Sequence, residues 1–411
     1  MKIKPSLLAP AGSMRALETA LRFGADAVYL GAKQYGLRAQ AQNFDETQLA
    51  RAVEMAHANG AQVNLTLNIF AFDGDLPGMV RTAQAAHEVG VDAAIVSDLG
   101  AIAKLHREVP GLDIHVSTQA STTNSESARV YKALGATRVV LAREMTMDNI
   151  EAMARELGDE MELETFIHGA VCMSYSGRCM LSSFLNNRSA NRGACSQPCR
   201  WTYALMERSR PGEYLPIEEG DRGTAILSSR DMCMMDHLPR LMESGVCCFK
   251  VEGRMKNELY IGTIIGAYRR AMDAYMADPD AYRANTALQR QLRAELDMVS
   301  HRTYDTGFYF GQPEVCGEAV GTEQAAEYMG YVHAVSGGVA LVEMKNRFFV
   351  GDELETVTPR GSEKLIVEDI VIDATGEHVG VVSVPQQLVR VPCGNKLSAG
   401  DMLRGPVRNR A

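Results

Sequence analysis

A-L-G-A-T-R-V-V-L-A-R-E, residues 133–144, places a helix end, a glycine and a short β-branched run in immediate succession. The same order recurs in R-F-G-A-D-A-V-Y-L-G (22–31), A-N-G-A-Q-V-N-L-T-L-N (58–68), E-V-G-V-D-A-A-I-V-S-D (88–98) and E-S-G-V-C-C-F-K-V-E-G-R (243–254). Each glycine predicts a helix C-terminus, where a left-handed residue costs nothing sterically. Each following run predicts a strand covered on both faces. L-L-A-P-A-G (7–12), D-I-H-V-S-T-Q (113–119) and E-L-E-T-F-I-H-G (162–169) bring the strands to eight. Helical stretches at 47–59, 76–89, 125–134 and 147–157 alternate with them. Eight βα units in about 255 residues predict an α/β fold, a TIM-like (β/α)8 barrel, with a doubly wound open sheet as the competitor.

Residues 170–235 break the repeat and are too long for an ordinary βα loop. They follow the seventh strand, which puts them on the C-terminal face of a barrel, where active sites lie. Within them A-I-L-S-S (225–229) reads as a strand. One long helical stretch is expected over 258–298. Beyond about residue 325, runs such as Y-M-G-Y-V-H-A-V-S and F-F-V-G-D-E-L-E-T-V alternate apolar and polar residues between turn signals. Two domains are therefore expected, 1–325 with its cysteine-rich insertion and 326–411 as a small antiparallel β-barrel.

The 411 residues are 46% hydrophobic and 23% charged, as in packed globular chains. The apolar run near the start is too short for a signal peptide and is interrupted by Pro5 and Pro10. No run of about 18 apolar residues predicts a membrane span. A cytoplasmic location with reduced thiols is the expectation. The net charge of −9 argues against non-specific coating of nucleic acid. Locally the balance reverses. Between residues 171 and 210, six arginines (178, 188, 192, 200, 208, 210) face one acid, Glu207. Tyr175, Phe184, Trp201 and Tyr203 are interleaved with them. Basic groups with stacking aromatics suit a single-stranded RNA loop; a solvated arginine-rich loop is the plainer alternative.

Seven of the nine cysteines fall between Cys172 and Cys248. The spacing Cys172-x6-Cys179-x15-Cys195-x3-Cys199-x33-Cys233 lacks the paired C-x2–4-C pattern of structural zinc, except at Cys195/Cys199. An iron–sulfur cluster, a zinc ion and plain reduced thiols all remain open on spacing. Cys247 and Cys248 lie within a strand and suit core packing; Cys316 and Cys393 are isolated and read as structural. Polar residues collect at predicted strand ends: Asn64 and Asn68, Ser97 and Asp98, Ser117 and Gln119, Arg143 and Glu144, Glu164 and His168, Glu252 and Arg254. In a barrel these ends converge, and Arg143 with Arg254 could clamp a carboxylate bidentately. No G-x-S-x-G, H-E-x-x-H or P-loop is present, so no hydrolytic nucleophile or metalloprotease helix is apparent.

E-T-F-I-H-G-A-V-C-M-S-Y-S-G-R-C-M-L-S (164–182) resembles the collagenase-like peptidase family U-thirty-two. H-V-S-T-Q (115–119), R-G-A-C-S-Q-P-C-R (192–200) and K-V-E-G-R-M-K (250–256) resemble its other landmarks. The likeness spans residues 1–325, and 326–411 resembles the family's C-terminal domain. It implies one of three activities: hydroxylation of the wobble uridine of tRNA to 5-hydroxyuridine, peptidase action on collagen-like chains, or assistance to quinone hydroxylation. The first, favoured by the C-terminal domain and the basic loop, implies a [4Fe–4S] cluster on Cys172, Cys179, Cys195 and Cys233, with Cys199 able to replace Cys195. It also implies prephenate as the small carboxylate metabolite and the tRNA anticodon loop as partner, with an electron donor or a paralogous family member beside them. The expected roles are Arg143, Arg254 and Gln119 around the metabolite and Glu164, His168 and Glu252 for acid/base or orienting work. Arg192, Arg200 and Trp201 would meet the RNA.

Overall fold

The structure, a computed structural model, describes residues 4–38, 41–172, 174–201, 205–206, 214–215, 229–313 and 322–408. The chain divides into two compact units. The first comprises residues 1–17, 25–255 and 301–322, and the second residues 18–24, 256–300 and 323–411. The helices after residue 255 thus group with the C-terminal strands, whereas the expected division fell at 325/326.

In the first unit, β1 (Ser6–Pro10), β2 (Ala27–Gly31), β3 (Gln62–Leu67), β4 (Ala93–Val96), β5 (Asp113–Val116), β6 (Arg138–Val140) and β7 (Glu162–Ala170) pair in parallel and in chain order. After two short paired strands, β8 (Leu205–Met206) and β9 (Tyr214–Leu215), come β10 (Asp231–Cys233) and β11 (Cys248–Val251). Strand β11 pairs in parallel with both β7 and β1 and closes the eight-stranded barrel. The sequence repeat is visible in the backbone: Gly24, Gly60, Gly90, Gly135 and Gly245 all have positive φ, between 72° and 101°. The helices fall where periodicity placed them, at Glu46–Ala58, Leu76–Glu88, Ser125–Ala133 and Met147–Leu157.

The residues 225–228 of the expected inserted strand lie outside the described residues. Two other strands flank the barrel. Strand β7 is nine residues long, and its last three pair antiparallel with β10, Cys233 opposite His168. Strand β12 (Tyr304–Asp305) then pairs with β10. Arg302 is bonded to Asp231 at 2.7–2.9 Å and fixes the start of β10.

The barrel interior is only partly apolar. Leu8, Ala27, Tyr29, Ile95 and Cys248 form one buried cluster, so Cys248 packs in the core as expected. Inward positions of β5, β6, β7 and β11 also carry His115, Arg138, Glu164 and Lys250, all buried. Glu164 accepts from Lys250 at 2.8 Å and lies 3.5 Å from Arg138, whose Nε donates to Glu162 at 2.8 Å. Charges inside a fold persist only when paired in this way.

In the second unit, the expected single helix over 258–298 is three: Glu258–Ala277, Pro279–Ala284 and Thr286–Leu296. Pro279 cannot continue the first, and Asp278 and Asn285 cap the next two with their side chains. The C-terminal strands are β13 (Ala326–Ser336), β14 (Val339–Met344), β15 (Phe348–Phe349), β16 (Glu353–Val357), β17 (Lys364–Ile366), β18 (Val371–Ile372), β19 (Val381–Val382), β20 (Leu388–Pro392) and β21 (Met402–Pro406). They form an antiparallel seven-stranded sheet, β17-β16-β21-β13-β14-β20-β18, and a two-stranded β15-β19 ladder around a core that includes Met329, Val342, Phe348 and Leu403. Cys393 is buried in that core, and Cys316 lies outside the described residues. Among the described residues no helix is long and apolar enough to cross a membrane.

Candidate active site at the C-terminal mouth of the barrel

A cavity of about 80 Å³ opens at the C-terminal ends of the barrel strands. Strand alternation supplies its walls. Tyr29, Ile95, Val140, Phe166 and Lys250 point inward from β2, β4, β6, β7 and β11, and the segments after the strands contribute Arg38, Asn68, Ser117, Gln119, Arg143, Glu252 and Arg254. Cys172, two residues past the end of β7, lines the same space. Lys250 is paired with Glu164, and three arginines against Glu252 leave the cavity with net positive charge.

Glu252 is the electrostatic hinge of this pocket. Its carboxylate meets Arg38 at 3.2 Å, the Tyr29 hydroxyl at 3.4 Å and Arg143 at 3.9 Å. Burial pushes the Glu252 pKa up, but Arg38, Arg143 and Arg254 together outweigh it and hold the carboxyl below its ordinary range. Tyr29 moves the other way: burial, reinforced by Glu252, raises its phenol well above the usual value. Arg143 is buried, its guanidinium lies 3.9 Å from the Phe166 ring centroid, and its Nε has no partner among the described residues. A buried guanidinium with an uncommitted N–H beside a cavity is poised to take a carboxylate. Arg254 is committed differently. It donates to Thr66 Oγ1 and Asn43 Oδ1, each at 2.8 Å, and burial pulls it down to about 10. It braces the loop after β2 against β3 itself, while Arg38 lies beside Glu252.

The other expected residues separate into two groups. Gln119 lines the cavity, and the cysteine loop rests on it: a Cβ on Gly177, whose φ is +75°, would stand 2.7 Å from Gln119 Oε1. Gly169 is constrained similarly, with φ of +106° and Glu252 O where a Cβ would be, 2.4 Å away. His168 is buried just beyond, its Nε2 3.4 Å from the Tyr304 hydroxyl. Glu164 is not at the mouth. It lies four residues deeper in β7, fully buried and locked to Lys250 and Arg138. Asn64 faces the opposite end of the barrel, where it lines a separate opening with His115 and Arg138. Asp98 caps the helix Leu99–Glu108. The residues that sequence reasoning missed are Arg38, Lys250 and Tyr29. Lys250 had a signal, since it shares strand parity with Glu252; Arg38 sits in a loop with no periodicity.

The cysteines of the insertion are reduced and partly exposed, apart from Cys233, which is buried in β10. Burial raises the Cys199 thiol against the pull of Arg200, and Cys172, Cys195 and Cys179 raise it further, so it lies within electrostatic reach of all three. Five thiols in one region match the donor set of an iron–sulfur cluster in kind. Among the described residues, however, no three His, Cys, Asp or Glu side chains stand close enough to hold one metal ion. Trp201 is exposed, Arg200 donates to Gln197 at 2.8 Å, and Arg192 donates to Asp75 at 2.8 Å and to the Phe70 carbonyl at 2.9 Å.

Comparison with known proteins gives this site a context. The profile of peptidase family U32 matches residues 12–318, and that of the peptidase family U32 C-terminal domain matches 324–404. The chain is 34% identical to tRNA hydroxylation protein P1 of Bacillus subtilis, over 98% of this chain and 94% of that one. It is 33% identical to tRNA hydroxylation protein P of Escherichia coli, over 92% and 91%. It is also 34% identical to a protein of Porphyromonas gingivalis named collagenase, over 74% and 73%. With both profiles matched in order along nearly the whole sequence, the chain belongs to peptidase family U32.

Proposed function

We propose that this chain is an iron–sulfur-dependent tRNA-modifying enzyme that hydroxylates the wobble uridine to 5-hydroxyuridine with prephenate as co-substrate. The observation that carries this reading is Cys172, which lines the arginine-rich cavity and also begins the cysteine-rich insertion. Two relatives aligned over more than nine-tenths of the chain carry tRNA hydroxylation in their names, which supports the substrate class. Cys172, Cys179, Cys195 and Cys233 would hold the cluster, with Cys199 as the alternate to Cys195. Metal binding that draws its ligands together is ordinary where binding and local folding are coupled. When bound, such a cluster would supply electron transfer. Arg143 and Arg38 hold a carboxylate of the metabolite, Glu252 orients both guanidinium groups, and Gln119 closes the wall under the cysteine loop. At about 10–15 Å³ per water, the cavity has room for roughly six water molecules, so it would seat a carboxylate-bearing arm of prephenate and leave the ring toward the mouth. His168 stands across the β7–β10 ladder from Cys233 as the proton-handling candidate. Arg200 and Trp201 would meet the RNA.

The test is nucleoside mass spectrometry of tRNA from a deletion strain complemented with wild type or Cys172→Ala, together with iron and sulfide analysis of anaerobically purified protein. Loss of 5-hydroxyuridine, restored only by wild type, and about four irons per chain, the content of one such cluster, are the expected results. A colourless, iron-free protein that cleaves gelatin would establish the peptidase alternative instead.

A further inference from the structure

Five aromatic side chains are exposed among the described residues: Phe72, Tyr175, Phe184, Trp201 and Phe310. Four of them lie in or against segment 174–201, which makes their exposure a property of one surface rather than scatter. Phe184 is 81% exposed, more than any other large apolar side chain described. It projects from the short helix Leu181–Asn186, whose Ser182 is fully buried and bonded to Ser196 at 3.1 Å, so the ring is held outward by a pinned backbone. Phe72 comes from the segment after β3 and is 67% exposed. The Arg192 guanidinium stacks on it at 4.6 Å from the centroid. Arg192 is in turn gripped by Asp75 and the Phe70 carbonyl, while Phe70 N–H donates to Asn191 O at 3.0 Å. The insertion is thus stapled to the β3 loop, and a rigid aromatic–guanidinium pair faces solvent. The resemblance implies that Arg192 meets the RNA; its donors to Asp75 and the Phe70 carbonyl also make it a brace for this pair.

We propose that Phe184 and the Phe72–Arg192 pair are a stacking platform for unpaired bases of an RNA loop, outside the cavity. Residues 171–201 carry four arginines and no acid in a chain of net charge −9, so the surface complements a polyanion and not a generic protein face. Met180 and Leu185 are also exposed beside Phe184, and the polar Ser183, Asn186, Asn187 and Arg188 surround them in the chain. Bases within a duplex have no free face to offer these rings, whereas splayed loop bases do. This inference rests on the reading that the substrate is a tRNA loop and adds where and how that loop is gripped.

The test is fluorescence anisotropy with the full chain, purified anaerobically, against a labelled anticodon stem–loop and a fully paired duplex of equal length. Phe184→Ala and Phe72→Ala are each expected to weaken stem–loop binding by roughly 5- to 160-fold, from about 1–3 kcal/mol per stacked base. Duplex binding, iron content and the salt dependence should stay at wild-type values, because no cation is lost. Phe184→Trp should restore affinity, which a purely structural ring would not require. Wild-type stem–loop affinity in both alanine variants would overturn the platform and leave the hydroxylase reading intact. A wild-type protein that binds the stem–loop no better than the duplex would overturn both. A change in sedimentation of Phe184→Ala with unchanged RNA affinity would reassign the ring to a protein contact and overturn the platform.

Discussion

At the residue scale, the pocket is decided by what each arginine is already bonded to. Arg143 and Arg254 both have an Nε without a partner among the described residues, but Arg143 lies over the Phe166 ring, whereas Arg254 spends its Nη donors on Thr66 and Asn43. Two different outcomes follow from substituting them. Arg143→Ala should weaken prephenate binding, measured by calorimetry, by roughly 10- to 100-fold, the value of about 1.5–3 kcal/mol for hydrogen bonds to a charged group, with little change in melting temperature. Arg254→Ala should instead lower the melting temperature, because it leaves Thr66 and Asn43 without their donor. Glu164 belongs with Arg254. Its removal takes the carboxylate from Lys250 in the barrel interior and leaves Arg138 with Glu162 alone, and uncompensated buried charge costs about 3–5 kcal/mol. Glu164→Ala should therefore shift the denaturation midpoint strongly; an unchanged midpoint with lost turnover would mean that Glu164 acts in chemistry after all. None of these commitments was legible in the sequence. The partners of Arg254 lie 188 and 211 residues away, and Glu164 reads as a strand-end acid because β7 runs several residues beyond the barrel wall.

At the element scale, the five glycine-led strands were legible because each repeats one local event, a left-handed helix end followed by a buried strand, and they framed the other three. Strands β10 and β12 were not, since three and two residues are too short to show alternation. The break at 278–280 was written in the chain as Asp-Pro-Asp, and the amphipathic pattern on either side of Pro279 concealed it. Strand β5 carries a consequence for pH. His115 is buried among Arg138 and Lys250, and burial first, then Arg138, pulls it down to about 3. The folded state therefore keeps His115 neutral while the unfolded chain protonates it below about pH 6.5. The unfolded state binds the extra proton, so stability falls as pH drops from about 6.5 toward 3. At about 1.4 kcal/mol per unit, the loss reaches about 2 kcal/mol by pH 5. His115→Gln should remove that part of the slope: chemical denaturation at pH 7.5 and pH 5 should show a gap smaller by that amount. Equal gaps in wild type and variant would show that His115 does not titrate this way.

At the scale of the whole molecule, the two compact units cut across the order of the chain. The helices at 256–300 precede the last strand of the first unit, β12, yet group with the C-terminal sheet. The sequence showed a change from helical to alternating periodicity near residue 325 and nothing of this grouping, because it rests on contacts between distant residues, an ion-pair set among them. Arg404, on β21, is almost wholly buried and donates to Glu295 at 2.8 Å and to Glu355 at 2.7 Å. Glu295 sits in the helix Thr286–Leu296 and Glu355 in β16, so one guanidinium ties a helix to two neighbouring strands. Burial opposes the charge on Arg404, but the bonds to Glu295 and Glu355 hold its pKa above the ordinary value. Arg404→Met keeps the apolar stem and removes the charge, leaving Glu295 buried without this partner. A cost of about 3–5 kcal/mol is expected, the range for breaking one side of a buried pair. Hydrogen exchange should localise it: amides in 256–300 and 323–408 should lose protection, while those of β1 to β7 and β11 keep theirs. Loss spread evenly over both sets would mean that the chain unfolds as one cooperative body, and that the grouping has no energetic counterpart.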